Sequence, residues 1–324
     1  GRPARAVRPG GVIRRTVLAA GVAGFAMPSR AEDPLRLTLA TATPGGGFPA
    51  YGAALADSVR EVDPKLLIEL RNTKGSSENV PLLEQGEVDL GLVQGEVASE
   101  YLLRRGGEPG SLRVVSAMYA TAGLFVVRAD GPLRSIGDLR GRRVALGAAG
   151  SGLTVMGRAF LRGEGIEGEV EAITLERAGE GPAMVADGRV AALFGGGVGW
   201  PGFRAVADGP GGARFLAPSE EAIGRILEAN PGMRRLVIPA GSYPGQDAAI
   251  ASAGSWSLIL SRPDLPEEVA LRFARALGQA RDGLARRLPQ GGETDPANTA
   301  AAVPASWLHP AAFRFLREAG YSVR

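Results

Sequence analysis

Residues 142–161 read RRVALGAAGSGLTVMGRAFL and contain three predicted elements in a row. The apolar run Arg142–Gly147 predicts a strand, and the small residues Gly150-Ser151-Gly152 predict a tight turn after it. A helix through Leu161 then follows, and its apolar face is formed by Leu153, Met156 and Phe160. A strand, a turn and a helix in this order form the repeating unit of an α/β fold.

The same unit recurs on both sides of this stretch. Upstream, the apolar patterns predict strands over 35–41, 66–71 and 88–94 that alternate with helices over 51–62, 76–83 and 97–103. Downstream, they predict strands over 170–175 and 190–194 with a helix over 178–187 between them. This alternation implies a mostly parallel sheet covered by helices, and two such series predict two lobes.

The remaining patterns are less regular. We expect further apolar runs at 113–118 and 124–128, a helix at 223–230, extended chain at 236–239 and 248–260, a loop at 289–305 and a last helix at 311–318. The longest predicted helix covers 266–288, and Asp264 is its expected cap.

Composition excludes several kinds of chemistry. Among 324 residues there is no Cys and one His, His309. The sequence therefore excludes disulfides, Cys-ligated zinc, iron–sulfur clusters, a Cys nucleophile and multi-His metal sites. A Ser-His-Asp triad would have to use His309, but its place just before the last predicted helix favours a capping or packing role. We predict no metal, no cofactor and no catalytic residue.

The first 31 residues have the pattern of an export signal. They contain six Arg and no acidic residue, and an apolar run at Val17–Met27 is too short to cross a membrane. Arg14-Arg15 before that run is typical of a twin-arginine signal, although Ile13 departs from the pattern, so a general secretory signal stays open. Without these residues the formal charge falls from +3 to −3, which removes the case for nucleic-acid binding.

Three turns of small residues, at 41–48, 75–79 and 147–154, each lie between a predicted strand and a predicted helix. Ligands bind α/β sheets at the carboxyl ends of strands, and free N–H groups at helix starts attract anions. The turns together predict a small anionic ligand in a cleft. The third turn lacks the P-loop lysine, since Leu153 stands there, and G-x-G-x-x-G at 197–202 is interpreted as a chance match.

These residues resemble the TAXI group of extracytoplasmic solute receptors, which serve TRAP-type transport systems. The resemblance runs from about Leu35 to Tyr321. Its carriers are the three turns and the segments GEVDLGLVQ at 86–94, IGDLRGRRV at 136–144, 183–191, GSYPGQ at 241–246 and LHPAA at 308–312.

The resemblance implies a two-lobed, type II-like periplasmic binding protein, with a ligand cleft between lobes that hinge strands join. We expect lobe I at 32–127 plus 246–324, lobe II at 128–245, and hinges near 126–130 and 240–248. The implied ligands are small carboxylates such as glutamate or 2-oxoglutarate. The implied ligand-binding residues are Thr43, Phe48, Ser76, Asn79, Gln94, Ser151, Gly152, Thr154 and Tyr243.

The sequence therefore predicts a monomeric periplasmic receptor that delivers its ligand to TRAP membrane permease subunits. Two alternatives stay open: a stand-alone sensory binding subunit, and an enzyme on the same architecture. The enzyme would need an activated nucleophile or a metal site, and the sequence has neither pattern. Two replacements bear on the ligand: Phe48 stands where the family often has Tyr, and Glu96 where it often has Asp.

Overall fold

Strands and helices alternate along residues 33–324, the part of the chain that the computed structural model describes. The predicted export signal at 1–31 lies outside the described residues. The strands are β1 Leu35–Ala40, β2 Leu66–Arg71, β3 Leu90–Val93, β4 Arg113–Arg128, β5 Arg143–Ala148, β6 Glu171–Leu175, β7 Ala192–Gly196, β8 Ala213–Leu216, β9 Arg234–Ile238 and β10 Ile250–Ser261. The α-helices are α1 Gly47–Val62, α2 Ser76–Glu84, α3 Gly95–Arg105, α4 Gly152–Gly163, α5 Gly181–Ala186, α6 Pro201–Ala207, α7 Glu220–Ala229, α8 Glu267–Arg287, α9 Pro296–Ala302 and α10 Pro310–Glu318.

The strands follow one another in the order β2-β1-β3-β10-β4-β7-β5-β6, with β8 beside β4 and β9 beside β10. Pairing is parallel within β2-β1-β3 and within β7-β5-β6, but β4 and β10 are antiparallel to their neighbours. The prediction of a mostly parallel sheet is therefore wrong for the centre of the sheet. There β4 and β10 pass from one half of the molecule to the other in opposite directions, so their pairing is antiparallel.

The long strands β4 and β10 each belong to both halves of the molecule. Up to Ala122, β4 pairs with β10, and from Gly123 onwards it pairs with β7 and β8. In β10, residues from Gly254 to the end pair with β4, whereas residues 250–254 pair with β9. The two lobes are thus joined by two crossing strands.

Close packing at the crossing explains two glycines. A Cβ on Gly254 would lie 1.8 Å from the Thr121 carbonyl oxygen of the paired strand. A Cβ on Gly123 would lie 2.7 Å from the rings of both Phe160 and Phe194. A side chain larger than hydrogen would not fit at either position. Gly254 therefore lets β10 lie close to β4, and Gly123 lets β4 lie close to the aromatic core of lobe II.

Several predicted elements differ from the observed ones. The runs at 113–118 and 124–128 are one continuous strand, because the residues between them continue the pairing with β10 through Ala120, Thr121 and Ala122. The expected loop at 289–305 contains α9, and α6 and β8 were not predicted. Asp264 does not cap α8; its carboxylate pairs with Arg262 instead. His309 caps α10 as expected, because Nδ1 accepts the Ala311 N–H at 3.1 Å.

Each lobe has its own apolar core. In lobe I, α1 and α8 cover one face of the sheet around Leu39, Leu55 and Phe273. In lobe II, α4 and α7 cover β5 and β7 around Phe160, Phe194 and Ile226. Among the helices of residues 33–324, none is long and apolar enough to cross a membrane.

Candidate functional site

The three predicted turns meet at one cavity between the lobes, with a volume of about 50 Å³. Lobe I supplies the turn after β1, the start of α2, the residue before α3 and the middle of β4. Lobe II supplies the turn after β5, the start of α4, and the loops after β6 and β7. The lining residues are Ala42, Thr43, Gly46, Gly47, Phe48, Gly75, Ser76, Gln94, Tyr119, Thr121, Ala148, Ser151, Gly152, Leu153, Ala178, Gly196 and Trp200.

The lobes are in direct contact around this cavity. The Ala178 N–H donates to Thr43 Oγ1 at 3.1 Å, and the Ser77 N–H donates to the Gly150 carbonyl at 3.1 Å. A Cβ on Gly45 would lie only 2.4 Å from Gly179 Cα in the facing loop. The structure is therefore a closed arrangement in which glycines allow backbone to meet backbone.

Four helices that begin at the cavity have no side-chain cap. These are α1, α2, α3 and α4, whose capping positions are Gly46, Gly75, Gln94 and Ser151. The first N–H groups of a helix have no partner within the helix, and they carry its positive dipole end. At α2 the Ser77 N–H is already used by Gly150, and at α3 the Glu96 carboxyl lies in the first turn. The starts of α1 and α4, which line the cavity from opposite lobes, therefore contribute most to favouring a negatively charged ligand without any cationic side chain.

Side chains on the wall add further donors. Within residues 33–324, the Tyr119 hydroxyl, the Thr121 hydroxyl and the Trp200 indole N–H lie on the wall and form no side-chain hydrogen bond. Burial raises the pKa of Tyr119 far above its ordinary value, so its hydroxyl stays neutral and able to donate. None of the described lining residues carries a formal charge.

Six of the nine residues implied by the resemblance line this cavity: Thr43, Phe48, Ser76, Gln94, Ser151 and Gly152. Ser76 is fully buried, and its Oγ accepts the Gln94 N–H at 2.9 Å, so its hydroxyl proton is free for a ligand. Ser151 Oγ lies 3.3 Å from Thr154 Oγ1, a long contact that a ligand oxygen can replace.

Asn79 does not line the cavity. It is fully buried, and its Nδ2 donates to the carbonyls of Thr41 and Leu92, both at 2.8 Å. Its Oδ1 accepts from Thr73 Oγ1 at 2.7 Å. The Asn79 amide thus connects the ends of β1 and β3 with the segment before α2. Its NH₂ group and its oxygen are both hydrogen-bonded within the protein, so Asn79 supports the turn and does not contact the ligand.

Thr154 and Tyr243 also lie behind the wall. Thr154 Oγ1 donates to the Ala148 carbonyl at 2.9 Å and so closes the turn before α4. Tyr243 donates from its hydroxyl to the Gly197 carbonyl at 2.6 Å, and burial raises its pKa to about 12. The Tyr243 ring packs against Phe203 and Phe215, so this residue supports the loop that carries Trp200.

Sequence reasoning missed Tyr119, Thr121 and Trp200. Tyr119 and Thr121 lie in the middle of β4, where no local pattern marks a ligand site. Trp200 lies within the G-x-G-x-x-G stretch at 197–202, which was interpreted as a chance match, and it comes directly after the glycine-rich run at 195–199. Had this run been interpreted as a fourth turn after a strand, it would have indicated Trp200.

A buried carboxylate lies next to the site. Glu96 accepts a hydrogen bond from Gln94 Nε2 at 2.9 Å and another from Ser255 Oγ at 2.8 Å. Part of the Glu96 side chain stays accessible, but protein surrounds its carboxyl and this desolvation raises its pKa. No group of three His, Cys, Asp or Glu that could hold a metal ion occurs within residues 33–324.

Comparison with known proteins agrees with this architecture. The model of the NMT1-like family matches residues 39–320. Among solved structures, a protein of Bordetella bronchiseptica RB50 has a TM-score of 0.56 at 14% identity, with 88% of this chain and 97% of that chain covered. The substrate binding protein of an amino acid ABC transporter has a TM-score of 0.50 at 12% identity, with 78% and 98% covered.

A third structure, of a Xanthomonas citri protein bound to ATP, has a TM-score of 0.50 at 18% identity, covering 87% of this chain and 94% of that chain. At these identities the likeness concerns the fold alone. It confirms the prediction of a two-lobed α/β binding-protein fold with hinge strands.

Proposed function

Because the chain belongs to the NMT1-like family and has the two-lobed binding-protein fold, we propose that it is a solute receptor. In this proposal it captures a small organic anion and delivers it to a membrane transporter. The observation that carries the proposal is the convergence of four uncapped helix starts on a closed cavity rich in donors and without charged side chains.

The cavity matches a carboxylate or a sulfonate. Either group presents two or three oxygens that need hydrogen-bond donors from several directions. Backbone N–H groups at the starts of α1 and α4 and the side chains of Ser76, Tyr119 and Trp200 surround the space from both lobes. Acidic amino acids and dicarboxylates are the ligand classes we propose, as the sequence resemblance implies.

Ligand capture in this proposal is closure of the lobes. An anion that contacts donors of both lobes binds the closed state better than an open state, and this difference drives closure. We place the pivots where the crossing strands change partners, at Ala122-Gly123 and near Gly254, rather than at 126–130 and 240–248. The lobe boundary then falls at these pivots instead of at 127 and 246.

The class of membrane transporter and the periplasmic location are also part of the proposal. The order of motifs along the chain favours TRAP permease subunits as partners, whereas the amino acid receptor compared above serves an ABC transporter. The basic, apolar N-terminal sequence supports export to the periplasm. Cross-linking of the ligand-loaded receptor in cells, followed by identification of the captured membrane subunit, distinguishes the two carrier classes.

Calorimetric titration of the purified protein with carboxylates, sulfonates and amino acids tests the receptor function. We expect saturable binding of at least one anion at micromolar or lower concentration, with the compound recovered unchanged. Turnover of a panel compound would support the enzyme alternative instead. Absence of binding across the panel would overturn the proposal.

A single substitution tests the site itself. Ser151→Ala removes a hydroxyl from the lobe II wall, and we expect affinity to fall by about fivefold to tenfold, or about 1–1.4 kcal/mol. Ser111→Ala is the matched control, because the Ser111 hydroxyl donates to the Glu108 carbonyl at 2.8 Å and the residue does not line the cavity. Equal affinities of the two variants would remove Ser151 from the ligand site.

A further inference from the structure

A chain of three side chains connects a crossing strand to the cavity wall. Ser255 in β10 donates from Oγ to Glu96 Oε1 at 2.8 Å, and Gln94 donates from Nε2 to Glu96 Oε2 at 2.9 Å. Gln94 is the residue before α3 and lines the cavity, whereas Glu96 lies behind it in the first turn of α3. The chain therefore reaches from the lobe crossing to the ligand.

This chain fixes which end of the Gln94 amide faces the ligand. Both Glu96 oxygens accept a hydrogen bond, and an accepting carboxyl oxygen can pair only with the NH₂ group of an amide. Ser255 cannot move aside, because it is fully buried and a Cβ on Gly95 would lie 2.4 Å from its side chain. With Nε2 held by Glu96, Gln94 Oε1 is left as an acceptor.

Gln94 Oε1 differs from the other polar side-chain atoms of the wall. Within residues 33–324 it accepts no hydrogen bond, and it lies beside Gly152, whose Cβ would be 2.8 Å away. The wall hydroxyls and the Trp200 N–H can all donate, whereas this oxygen can only accept. The Glu96 carboxyl, whose two oxygens both accept, lies directly behind the amide and adds to the acceptor character of this part of the cavity.

We propose that the Ser255–Glu96–Gln94 chain makes the receptor select anions that also carry an amine, with the ammonium group bound at Gln94 Oε1. This inference rests on the proposed function and narrows its ligand to zwitterions such as amino acids or amino sulfonates. Glu96 acts here as a positioning residue, since it contacts Gln94 rather than the ligand.

Calorimetry at pH 8 tests the inference with matched probes. L-glutamate is compared with glutarate, and taurine with ethanesulfonate, so that carboxylates and sulfonates are tested separately. We expect the amine to improve affinity by at least tenfold in the pair that fits the cavity. Binding without preference for the amine overturns this inference alone, whereas no binding of any probe overturns the proposed function as well.

Glu96→Gln tests whether Glu96 orients the Gln94 amide or only supports the local structure. This variant keeps the size of the side chain but replaces one of the two accepting oxygens by an NH₂ group, which leaves the Gln94 amide free to turn. We expect the preference for the amine to fall below threefold while glutarate or ethanesulfonate binds at least as tightly as before. Ser255→Ala should reduce the preference partly, and Ser111→Ala should leave it unchanged. A Glu96→Gln variant that keeps the full preference, or loses affinity equally for both members of a pair, would contradict the proposal.

Discussion

Helix starts at the cleft differ from the starts of the helices that have a side-chain cap. The starts of α1, α2, α3 and α4 line the cavity and have no side-chain cap, whereas α7, α9 and α10 are capped by Ser219, Asp295 and His309. The starts of α5, α6 and α8 also lack a side-chain cap. A missing cap costs about 1 kcal/mol wherever it occurs, and at the cavity it leaves N–H groups available for a ligand.

We expect the largest loss of anion affinity when a side-chain cap is introduced at a helix start that lines the cavity. Gly46→Asp fits the extended backbone at the α1 start and places a carboxylate where we expect the ligand anion. We expect anion affinity to fall at least a hundredfold, about 2.7 kcal/mol, in calorimetry. The free protein should keep its Tm, because the new cap satisfies α1.

Gly46→Ala is the control for this change, since it adds the Cβ without the cap or the charge. Its Cβ would lie 3.3 Å from the Thr43 carbonyl and 3.5 Å from the Ala178 side chain, which small shifts accommodate. We expect it to retain affinity within about fivefold. An Asp variant no weaker than the Ala variant would contradict an anion at this helix start.

Blocking closure should have the next largest effect. Gly45 has a φ of 85°, and a Cβ there would collide with Gly179 of the facing loop. We expect Gly45→Ala to weaken binding about thirtyfold, about 2 kcal/mol, because the closed state that the ligand favours becomes inaccessible.

Gly86→Ala is the matched control for backbone strain. Gly86 has a similar φ of 70°, but no atom lies within 4 Å of its Cβ position. Both variants should lose similar stability in chemical denaturation, and only Gly45→Ala should lose affinity. Equal affinities would show that contact between these loops does not matter for binding.

Removing a cap away from the cleft should affect stability alone. The Ser219 side chain accepts the Ala222 N–H at 3.1 Å at the start of α7. We expect Ser219→Ala to lower the free energy of unfolding by about 1 kcal/mol and to leave anion affinity unchanged. A loss of anion affinity in this variant would contradict the idea that capped helix starts serve stability and uncapped starts at the cavity serve ligand binding.

The smallest expected effect concerns pH and the α10 cap. Burial lowers the pKa of His309, whose Nδ1 accepts the Ala311 N–H while Nε2 lies 2.9 Å from the Leu265 carbonyl. The unfolded chain therefore binds this proton at a higher pH than the folded chain, and stability falls as the pH drops through about 6.5. Denaturation at pH 8 and pH 5.5 should show a larger loss for the wild type than for His309→Asn, which can still cap. An equal loss would mean that His309 is not the titrating group.

Sequence patterns predicted most elements of the fold, but not the pairing at the centre of its sheet and only part of the cavity wall. Local periodicity and glycine turns located most strands and helices, because one strand–turn–helix unit is encoded within about 20 residues. The mixed centre of the sheet could not be predicted in this way, since the partners of β4 lie more than 60 residues away and only tertiary packing selects them.

The site shows the same limit. The turns predicted as a group do line one cavity, but the sequence could not tell Ser76, which lines the cavity, from Asn79, whose amide NH₂ group donates to the Thr41 and Leu92 carbonyls. Three residues separate them on one helix, and only the direction of each side chain decides its role. Tyr119 was missed because its strand crosses behind the cleft without any local signal.

Distance measurement between the lobes tests closure on an anion most directly. The natural sequence has no Cys, so Glu108→Cys in lobe I and Glu171→Cys in lobe II, both well exposed, accept spin labels without competing thiols. Double electron–electron resonance is recorded without ligand and with the tightest-binding anion of the calorimetric panel. We predict a shorter and narrower distance distribution with the anion, and a return to the free distribution when Gly45→Ala is added. Identical distributions with and without a bound anion would contradict the account.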